Sequence, residues 1–403
     1  MFRFRDESSD NLFEFALKAQ LGDKELEPKL LCVSSNQCFN NFKDEIKKII
    51  LPLKQNQFNK WNDSVYVNTI QNTKISGFPQ IIYIYIKYVK IESNYFAYCI
   101  ISKYMHYQLI TKALNDICAA PENELASIYE KYRRISFRKN AYDIVAEYKN
   151  EVIMEGLISN CEIAKMNRFF LSNYPPYYAG LLIYLLLKGK RIIVLSADFK
   201  HLSSTVFATA ALLYPLDFYR QNDDGSCINF IPVLPKEKIG LLKCDGPSIY
   251  GIHATMINEL FTLKKDYILF NADEPYISNL DENDKDLTND DNLYTIFETI
   301  NFFHEKIIQL CNADKVVFPG PFIFSEIQSL IRDLLFCMFK KQSITEISKV
   351  TNLEKTSMLL YIAFKKAKEN NKNLHNLLER DPKTLKIPIV NQVKTTVSSK
   401  KKK

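Results

Sequence analysis

The chain has 403 residues, enough for about two to three domains, and its composition of 47% hydrophobic and 25% charged residues is that of a globular protein. This composition excludes disorder throughout, and fifteen prolines with only ten glycines exclude a collagen-like chain. Twenty-seven Phe and twenty-three Tyr indicate large aromatic cores instead.

The net charge of +7 is concentrated at the C-terminus. Lys and Arg total 53 against 46 Asp and Glu, and removing the five cations that follow Pro388 leaves about +2 for the rest of the chain. No strong basic field for nucleic acid is therefore predicted. We expect this tail to be solvated and disordered, with at most peripheral membrane contact through its last four lysines. The five cations are Lys394, Lys400, Lys401, Lys402 and Lys403.

Cysteine usage and the apolar runs predict a cytoplasmic, soluble protein. The nine cysteines form no CxxC pair, and several lie in apolar runs, as Cys99 and Cys337 do. This pattern is typical of free thiols in a reducing compartment rather than of a disulfide framework. The charged start at residues 1–6 lacks the apolar core of a signal peptide. The longest apolar stretches also fall short of the roughly 20 residues that span a bilayer.

Residues 1–120 predict a small α/β sheet domain. The β-branched and aromatic runs at 80–91 and 95–102 predict an antiparallel hairpin. Helical spacing of apolar residues places Phe42, Ile46, Ile49 and Ile50 on one helix face. The domain also has a short apolar run at Leu30–Val33, a helical pattern at Phe39–Leu51, an apolar/polar alternation at Ser64–Asn68 and a predicted helix at Tyr107–Cys118.

Residues 121–151 are charged and predict a helical connector, with helices at Glu124–Tyr132 and Tyr142–Tyr148. Residues 152–275 alternate short strands and helices, which favours a layered α/β domain. The almost fully apolar Arg191–Ser196 predicts a strand buried on both faces, and Asp198 is the predicted N-cap of the next helix. The other elements predicted here are helices at Tyr178–Leu187, Asp198–Leu213 and Lys236–Leu242, and strands at Ile228–Pro232, Ser248–His253 and Tyr267–Phe270.

The last third of the chain divides into three segments. Residues 273–291 hold eight acidic residues against one lysine, which predicts a mobile acidic loop that we place at 276–292. Residues 293–380 predict a helical module, in which apolar residues at helical spacing between Ile327 and Met338 form one face. Residues 381–403 form the basic tail.

The chain lacks the common motifs of enzymes. It has no GxxxxGKS/T phosphate loop and no GxGxxG fingerprint. The segment Gly246–Gly251 resembles a nucleophile elbow, but its second glycine is one position too far and its serine precedes a strand. The five histidines do not have metal-ligand spacing. The aromatic run at 81–91 has too few basic residues for a nucleic-acid stacking platform. We expect no catalytic residue, no cofactor and no metal site.

Two polar positions favour structural roles over catalytic ones. Asp198 and His201 can share one helical turn, but their position favours a helix start with Asp198 at the cap. His253 ends a predicted strand, which favours a structural histidine over a metal ligand.

An ordered set of motifs between residues 175 and 255 resembles the central module of the DENN-domain family. The set comprises Leu185–Lys190, Arg191–Ser196, Leu212–Pro215, Ile231–Pro235 and Ser248–His253. The hairpin at 83–102 is similar to the upstream longin-like module of that family. The helical residues 293–380 lie where its downstream module belongs. The fold that this resemblance implies is α/β: an N-terminal longin-like module, then a three-layer DENN module with a helical C-terminal part.

The motif residues indicate architecture more than a site. Gly251 lets a neighbouring chain pass close to the backbone. Pro232 and Pro235 bracket a dipeptide, which predicts that strand pairing stops there and that an extended edge is presented.

The resemblance implies a guanine-nucleotide exchange factor for a Rab-type small GTPase in membrane trafficking, which would stabilise the nucleotide-free GTPase without making a bond. It places the GTPase surface where the upstream and central modules meet, and the GTPase-binding residues stay unassigned. A second DENN-like subunit is a further implied partner, and a vesicle or endosomal membrane a further implied location. The alternatives are a non-catalytic DENN-fold scaffold that binds a GTPase or a DENN-like subunit, and a small-molecule α/β enzyme, which the missing motifs disfavour.

Overall fold

The computed structural model describes part of this chain, in eleven continuous ranges and a few short helical pieces. The described residues are 11–21, 29–33, 36–50, 64–71, 81–121, 123–139, 144–154, 190–212, 230–243, 248–261 and 267–280, with 166, 169–170, 173–174, 178, 181–182 and 185–186. The predicted downstream helical module, the basic tail and the acidic residues from 281 onward lie outside the described residues.

The first module is built on a five-stranded antiparallel sheet with the order β2-β1-β5-β4-β3. Its hairpin is confirmed, because β4 and β5 pair from Tyr83 opposite Ser102 to Ile91 opposite Asn94. Strand β1, which was not predicted from the sequence, pairs with β5 near the middle of the sheet. The strands are β1 Phe15–Leu21, β2 Lys29–Val33, β3 Tyr66–Gln71, β4 Ile81–Ile91 and β5 Asn94–Ser102.

Helices cover both faces of this sheet. On β4, Lys87 donates to the side chain of Asn115, while the hydroxyl of the next residue, Tyr88, donates to the carbonyl of Ile50. Because successive strand residues point to opposite faces, the helices that contain Asn115 and Ile50 lie on opposite sides. The predicted apolar face of the earlier helix is confirmed, since all four of its residues are buried. The helices are α1 Asn36–Ile50, α2 Tyr107–Ala119 and α3 Leu125–Arg133.

A small three-stranded sheet replaces part of the predicted helical connector. The first predicted helix is confirmed as α3, but the helix predicted at Tyr142–Tyr148 is wrong, because β7 occupies that position. Lys149 and Asn150 take left-handed φ values of 49° and 68°. Two such residues make a tight hairpin turn, so the chain returns as an antiparallel strand. The strands are β6 Ser136–Lys139, β7 Ile144–Tyr148 and β8 Glu151–Met154.

The second module has a mostly parallel sheet with the order β10-β11-β9-β12-β13. Strand β9 lies in the centre between two parallel neighbours, and all six of its residues are buried, as predicted. Strand β13 pairs antiparallel with β12, so residues 276–278 of the predicted acidic loop form a strand instead. The strands are β9 Arg191–Ser196, β10 Phe230–Ile231, β11 Ser248–His253, β12 Tyr267–Asn271 and β13 Tyr276–Ser278.

The second module has the three-layer α/β architecture that the sequence predicts. On β9, Ile192 and Val194 point toward α4, whereas Ile193 and Leu195 point to the opposite layer of 3₁₀ helices and α5. The described residues between 178 and 186 are helical and join the core on the α4 side. The bounds are α4 Phe199–Ala211, 3₁₀ helices at Lys236–Lys243 and Ala254–Met256, and α5 Ile257–Leu260.

Gly251 is required where two backbone segments of this module meet. A Cβ atom at Gly251 would lie 1.9 Å from the carbonyl oxygen of Pro232 and 2.8 Å from its carbonyl carbon. Both are backbone atoms of an adjacent buried segment, so no side-chain rotation relieves the overlap. The close passage predicted for Gly251 is confirmed.

We therefore expect Gly251→Ala to lower the free energy of unfolding by about 3 kcal/mol, at the upper end of ordinary overpacking costs. Gly240→Ala is the matched control, because a Cβ at Gly240 has nothing within 4 Å; we expect a change within about 1 kcal/mol, in the stabilising direction. Urea unfolding followed by far-UV circular dichroism measures both values. Equal effects of the two substitutions would contradict the steric explanation.

Candidate functional site

The carboxyl ends of the parallel strands are the first place to look for chemistry, because ligands of open α/β sheets bind in the crevice outside those ends. Strands β9, β11 and β12 end here with Ser196, His253 and Asn271. The residues that follow them include Asp198, His201 and Asp273, so carboxylates, imidazoles and hydroxyls share one edge of the sheet.

Asp273 joins the ends of two strands. Its Oδ1 accepts a hydrogen bond from the Ser196 hydroxyl at 2.7 Å, and its Oδ2 accepts one from the backbone N–H of Ala197 at 2.7 Å. The preceding backbone group is also paired, since Ala272 N–H donates to the carbonyl of Leu195 at 2.8 Å. Both oxygens of this carboxylate therefore close the end of β9 against the turn after β12.

Asp198 and His201 form a helix start, as the sequence predicts. Asp198 Oδ1 accepts the backbone N–H of His201 at 2.6 Å, which satisfies a donor of the first turn of α4. The imidazole Nε2 of His201 lies 3.2 Å from the carbonyl oxygen of Ala272 and 3.0 Å from the Tyr174 hydroxyl. That hydroxyl lies 2.6 Å from the hydroxyl of Thr205, and burial raises the pKa of Tyr174 to about 12. The phenol is therefore neutral.

His253 also has a structural role, as predicted. Burial lowers the pKa of this imidazole, and the neutral ring donates from Nε2 to the carbonyl of Ala197 at 2.8 Å. Its Nδ1 then accepts the backbone N–H of Thr255 at 3.3 Å and lies 2.9 Å from the Thr255 hydroxyl. The ring thereby caps the 3₁₀ helix that follows β11.

These contacts make the carboxyl edge a structural closure. The carboxylates and imidazoles named above bind backbone groups and the hydroxyls of Ser196, Tyr174 and Thr255. Within the described ranges, no cluster of three or more His, Cys, Asp or Glu has the arrangement of a metal site. Ser248, the serine of the elbow-like motif, is buried at the start of β11 rather than on a turn after a strand. Ser248 therefore does not have the position of a nucleophile-elbow serine.

The second candidate region is the junction of the two modules. Helix α4 packs on β9 and β11 with one side and on β3 with the other. Strand β3 is an edge of the first sheet, and an uncovered edge exposes unpaired backbone groups. The Ser203 hydroxyl donates to the carbonyl of Val67 at 2.5 Å, so α4 both covers and pairs this edge.

Asn68 is the most specific contact of the junction. Its Nδ2 donates to the carbonyl of Val233 at 2.7 Å, and its Oδ1 accepts the backbone N–H of Val233 at 3.2 Å. One side chain thus pairs both backbone groups of a residue in the other module. Beside it, the Thr69 hydroxyl donates to the carbonyl of Phe230 at 3.3 Å.

This geometry corrects the prediction that the segment bracketed by Pro232 and Pro235 presents an extended edge. Val233 is paired by Asn68, and the N–H of Leu234 donates to the carbonyl of Gly251 at 2.7 Å. Residues 231–235 are all buried. Pro232 does end β10, but the backbone groups of Val233 and Leu234 that follow it form hydrogen bonds inside the molecule.

Aromatic rings and an ion pair complete the junction. The Phe199 ring stacks on Tyr66 of the first module with centroids 5.3 Å apart, and it also packs against the His253 ring, with centroids 4.8 Å apart. The Tyr66 hydroxyl lies 2.7 Å from that of Tyr88, and burial raises the pKa of both phenols. Lys238 of the 3₁₀ helix pairs with Glu45 of α1.

Residues 171–275 match the family model of the DENN (AEX-3) domain. The chain contains a DENN domain. The match covers α4 and strands β9 to β12, so the resemblance expected for the central module is confirmed. DENN domains are associated in general with Rab GTPases and their nucleotide exchange. No curated protein matches the chain significantly.

The DENN module and the sheet before it contain no helix suited to crossing a bilayer: within the described residues, none is both long enough and apolar enough. Two residues that matter at these sites are not singled out by the sequence: Asp273 lies in the acidic stretch, and Asn68 lies in an alternating apolar and polar segment. An asparagine in a buried strand is unusual, and that was the available signal.

We expect Asp273→Ala to lower the free energy of unfolding by about 1 kcal/mol, because the Ser196 hydroxyl and the Ala197 N–H lose a charged acceptor at an exposed turn that water reaches. Glu274→Ala changes the adjacent acidic residue, which is exposed as Asp273 is; it is the control and should change stability by less than about 0.5 kcal/mol. Chemical denaturation measures the difference. Two equal values would mean that Asp273 does not close the sheet edge.

The lowered pKa of His253 predicts a stability loss in mild acid. The unfolded chain, with a histidine pKa near its usual 6.5, binds a proton more readily than the folded state. The free energy of unfolding contributed by this site is therefore complete above about pH 6.5 and declines as the pH falls toward the lower folded pKa. We expect Tm to fall more between about pH 7.5 and 5.5 in the wild type than in His253→Asn. Identical pH profiles would contradict this assignment.

Proposed function

We propose that this protein is a guanine-nucleotide exchange factor for a Rab-type small GTPase, acting through a surface that spans both modules. The observation that carries the proposal is the DENN domain at residues 171–275. Its packing against the upstream sheet through α4 and Asn68 supports a two-module surface.

The sheet edge of the DENN module is compatible with this activity. An exchange factor makes and breaks no covalent bond, so it needs no nucleophile and no proton-transfer group. It binds the nucleotide-free GTPase more tightly than the loaded form, and by linkage it weakens nucleotide binding by the same factor. The requirement is a rigid surface of about 800 Å² or more per partner.

Both modules place charged side chains beside the junction. Asp44 is exposed on α1 next to Glu45, which pairs with Lys238 of the DENN module. Lys200 is exposed on α4 next to Phe199, which stacks on Tyr66 of the first module. Charges at such positions steer association and fix orientation more than they add affinity.

Release of fluorescent GDP from a panel of purified Rab GTPases tests the proposal. We expect the full chain to accelerate release from at least one member by about tenfold or more, because preferential binding of the nucleotide-free form lowers nucleotide affinity by that factor. Stable binding without faster release would replace the proposal with the scaffold function. No binding and no acceleration across the panel would contradict both.

Charge reversal locates the surface. Lys200→Glu and Asp44→Lys should each reduce the rate of association with the responsive GTPase, with a stronger effect at low salt. Glu92→Lys is the control, since Glu92 lies in the turn of the β4–β5 hairpin. If the control slows exchange as much as the two junction variants, the GTPase does not bind beside the junction.

A further inference from the structure

We propose that Asn68 is a positioning residue that fixes the orientation of the upstream module on the DENN module. Its effect on nucleotide exchange rests on the proposed function, whereas its effect on the junction does not. The GTPase would bind a composite surface, and the Asn68 side chain would hold the two parts of that surface in one arrangement.

The chemistry of the asparagine side chain explains why it can do this. The carboxamide carries one acceptor and one donor group in a plane, as a peptide unit does. It therefore pairs with Val233 as a neighbouring strand would, at 2.7 Å and 3.2 Å. Pro232, the residue before Val233, has no N–H with which to continue a backbone ladder. A side chain from the other module supplies the missing partner.

The Asn68 side chain is itself held in place. Its Oδ1 accepts a further hydrogen bond from the backbone N–H of Thr69 at 2.9 Å, which orients the carboxamide. The residue is completely buried, so water does not substitute for its contacts in the closed junction. A buried backbone group that loses its partner carries the full desolvation cost.

The other junction contacts constrain orientation less. The Ser203 and Thr69 hydroxyls each form one hydrogen bond across the junction and rotate freely about the C–O bond. The Glu45–Lys238 pair joins two flexible side chains that are partly exposed. Asn68 alone among the contacts described above joins the modules with two hydrogen bonds of fixed relative direction.

A loosened junction between the two modules should weaken binding of the GTPase, although the binding surface of each module is still present. If only a fraction of molecules holds the two modules correctly, the apparent dissociation constant rises in inverse proportion to that fraction. A saturating GTPase concentration then selects the correct arrangement. A positioning role therefore raises the half-saturating concentration and preserves the limiting rate of exchange.

The first test measures the junction directly in the full chain. Asn68→Asp replaces the Nδ2 donor with an oxygen facing the Val233 carbonyl, and Asn68→Ala removes both groups without adding a buried charge. We expect backbone hydrogen exchange at Val233 to accelerate about tenfold or more. Exchange at Ile84 and Ile193, inside the two sheets, should stay unchanged.

Thr209→Val is the matched control. Thr209 is also completely buried, and its hydroxyl donates to the carbonyl of Thr205 within α4 at 2.8 Å, so it does not bond across the junction. We expect this variant to leave the protection of Val233 unchanged. Unchanged protection of Val233 in both Asn68 variants would overturn the proposal. Loss of the far-UV spectrum in both would overturn it too, because a positioning residue leaves each module folded.

The second test uses nucleotide release from the responsive GTPase. We expect the half-saturating concentration to rise about tenfold in the Asn68 variants, with the limiting rate retained, and to stay unchanged in Thr209→Val. A reduced limiting rate at an unchanged half-saturating concentration would overturn the positioning role. If the wild-type chain releases nucleotide from no GTPase, the proposed function fails, and hydrogen exchange at Val233 still decides the role of Asn68.

Discussion

The joining of the two modules depends on pairing backbone groups that become buried where two unrelated sheets meet. Strand β3 ends one sheet, and the chain leaves β10 at Pro232. Neither segment continues into the other sheet, so ordinary ladder hydrogen bonds cannot join them. Buried N–H and C=O groups without partners are costly. Side chains of Asn68, Thr69 and Ser203 supply the partners instead, and the modules thereby share one continuous hydrophobic core.

The carboxyl edge of the DENN sheet uses the same solution. Parallel strands that end together leave polar groups near the surface, and in many α/β proteins a ligand occupies that position. Here Asp273, Asp198 and His253 bind the backbone after the strands. The fold thus keeps the doubly covered sheet of α/β enzymes, and at this edge the polar side chains bind the backbone of the protein itself.

Local patterns predicted much of the fold. The apolar run of β9, the β4–β5 hairpin, the Asp198 cap and the small residue at Gly251 are each specified by neighbours close in sequence. The helix prediction at β7 is wrong because the strand forms through a hairpin turn with two left-handed residues. Neither of these residues is a glycine, so the sequence gives no clear turn signal. Strand β1 mixes apolar and polar residues, and it pairs with β5, which lies about eighty positions later in the sequence.

The junction was not predictable residue by residue. Its decisive contact joins positions 165 apart in sequence, and nothing near Asn68 in the chain indicates what the carboxamide binds. Asp273 raised the same difficulty, because its donors Ser196 and Ala197 lie more than seventy positions earlier. The sequence does show an asparagine inside a strand and an aspartate after one. Their partners emerge only from the packing of complete sheets.

The covering of β3 by α4 has a consequence for synthesis on the ribosome. The hydroxyl of Ser203 that pairs with Val67 belongs to a residue made about a hundred positions after strand β5 completes the first sheet at Ser102, a delay of several seconds or more at about 5–20 residues per second. During that interval the nascent first sheet has an open edge, the structure most prone to pairing with other chains. We expect the polar Asn68 and Thr69 in the middle of β3 to reduce the tendency of this edge to pair with other chains until α4 is synthesised and covers it.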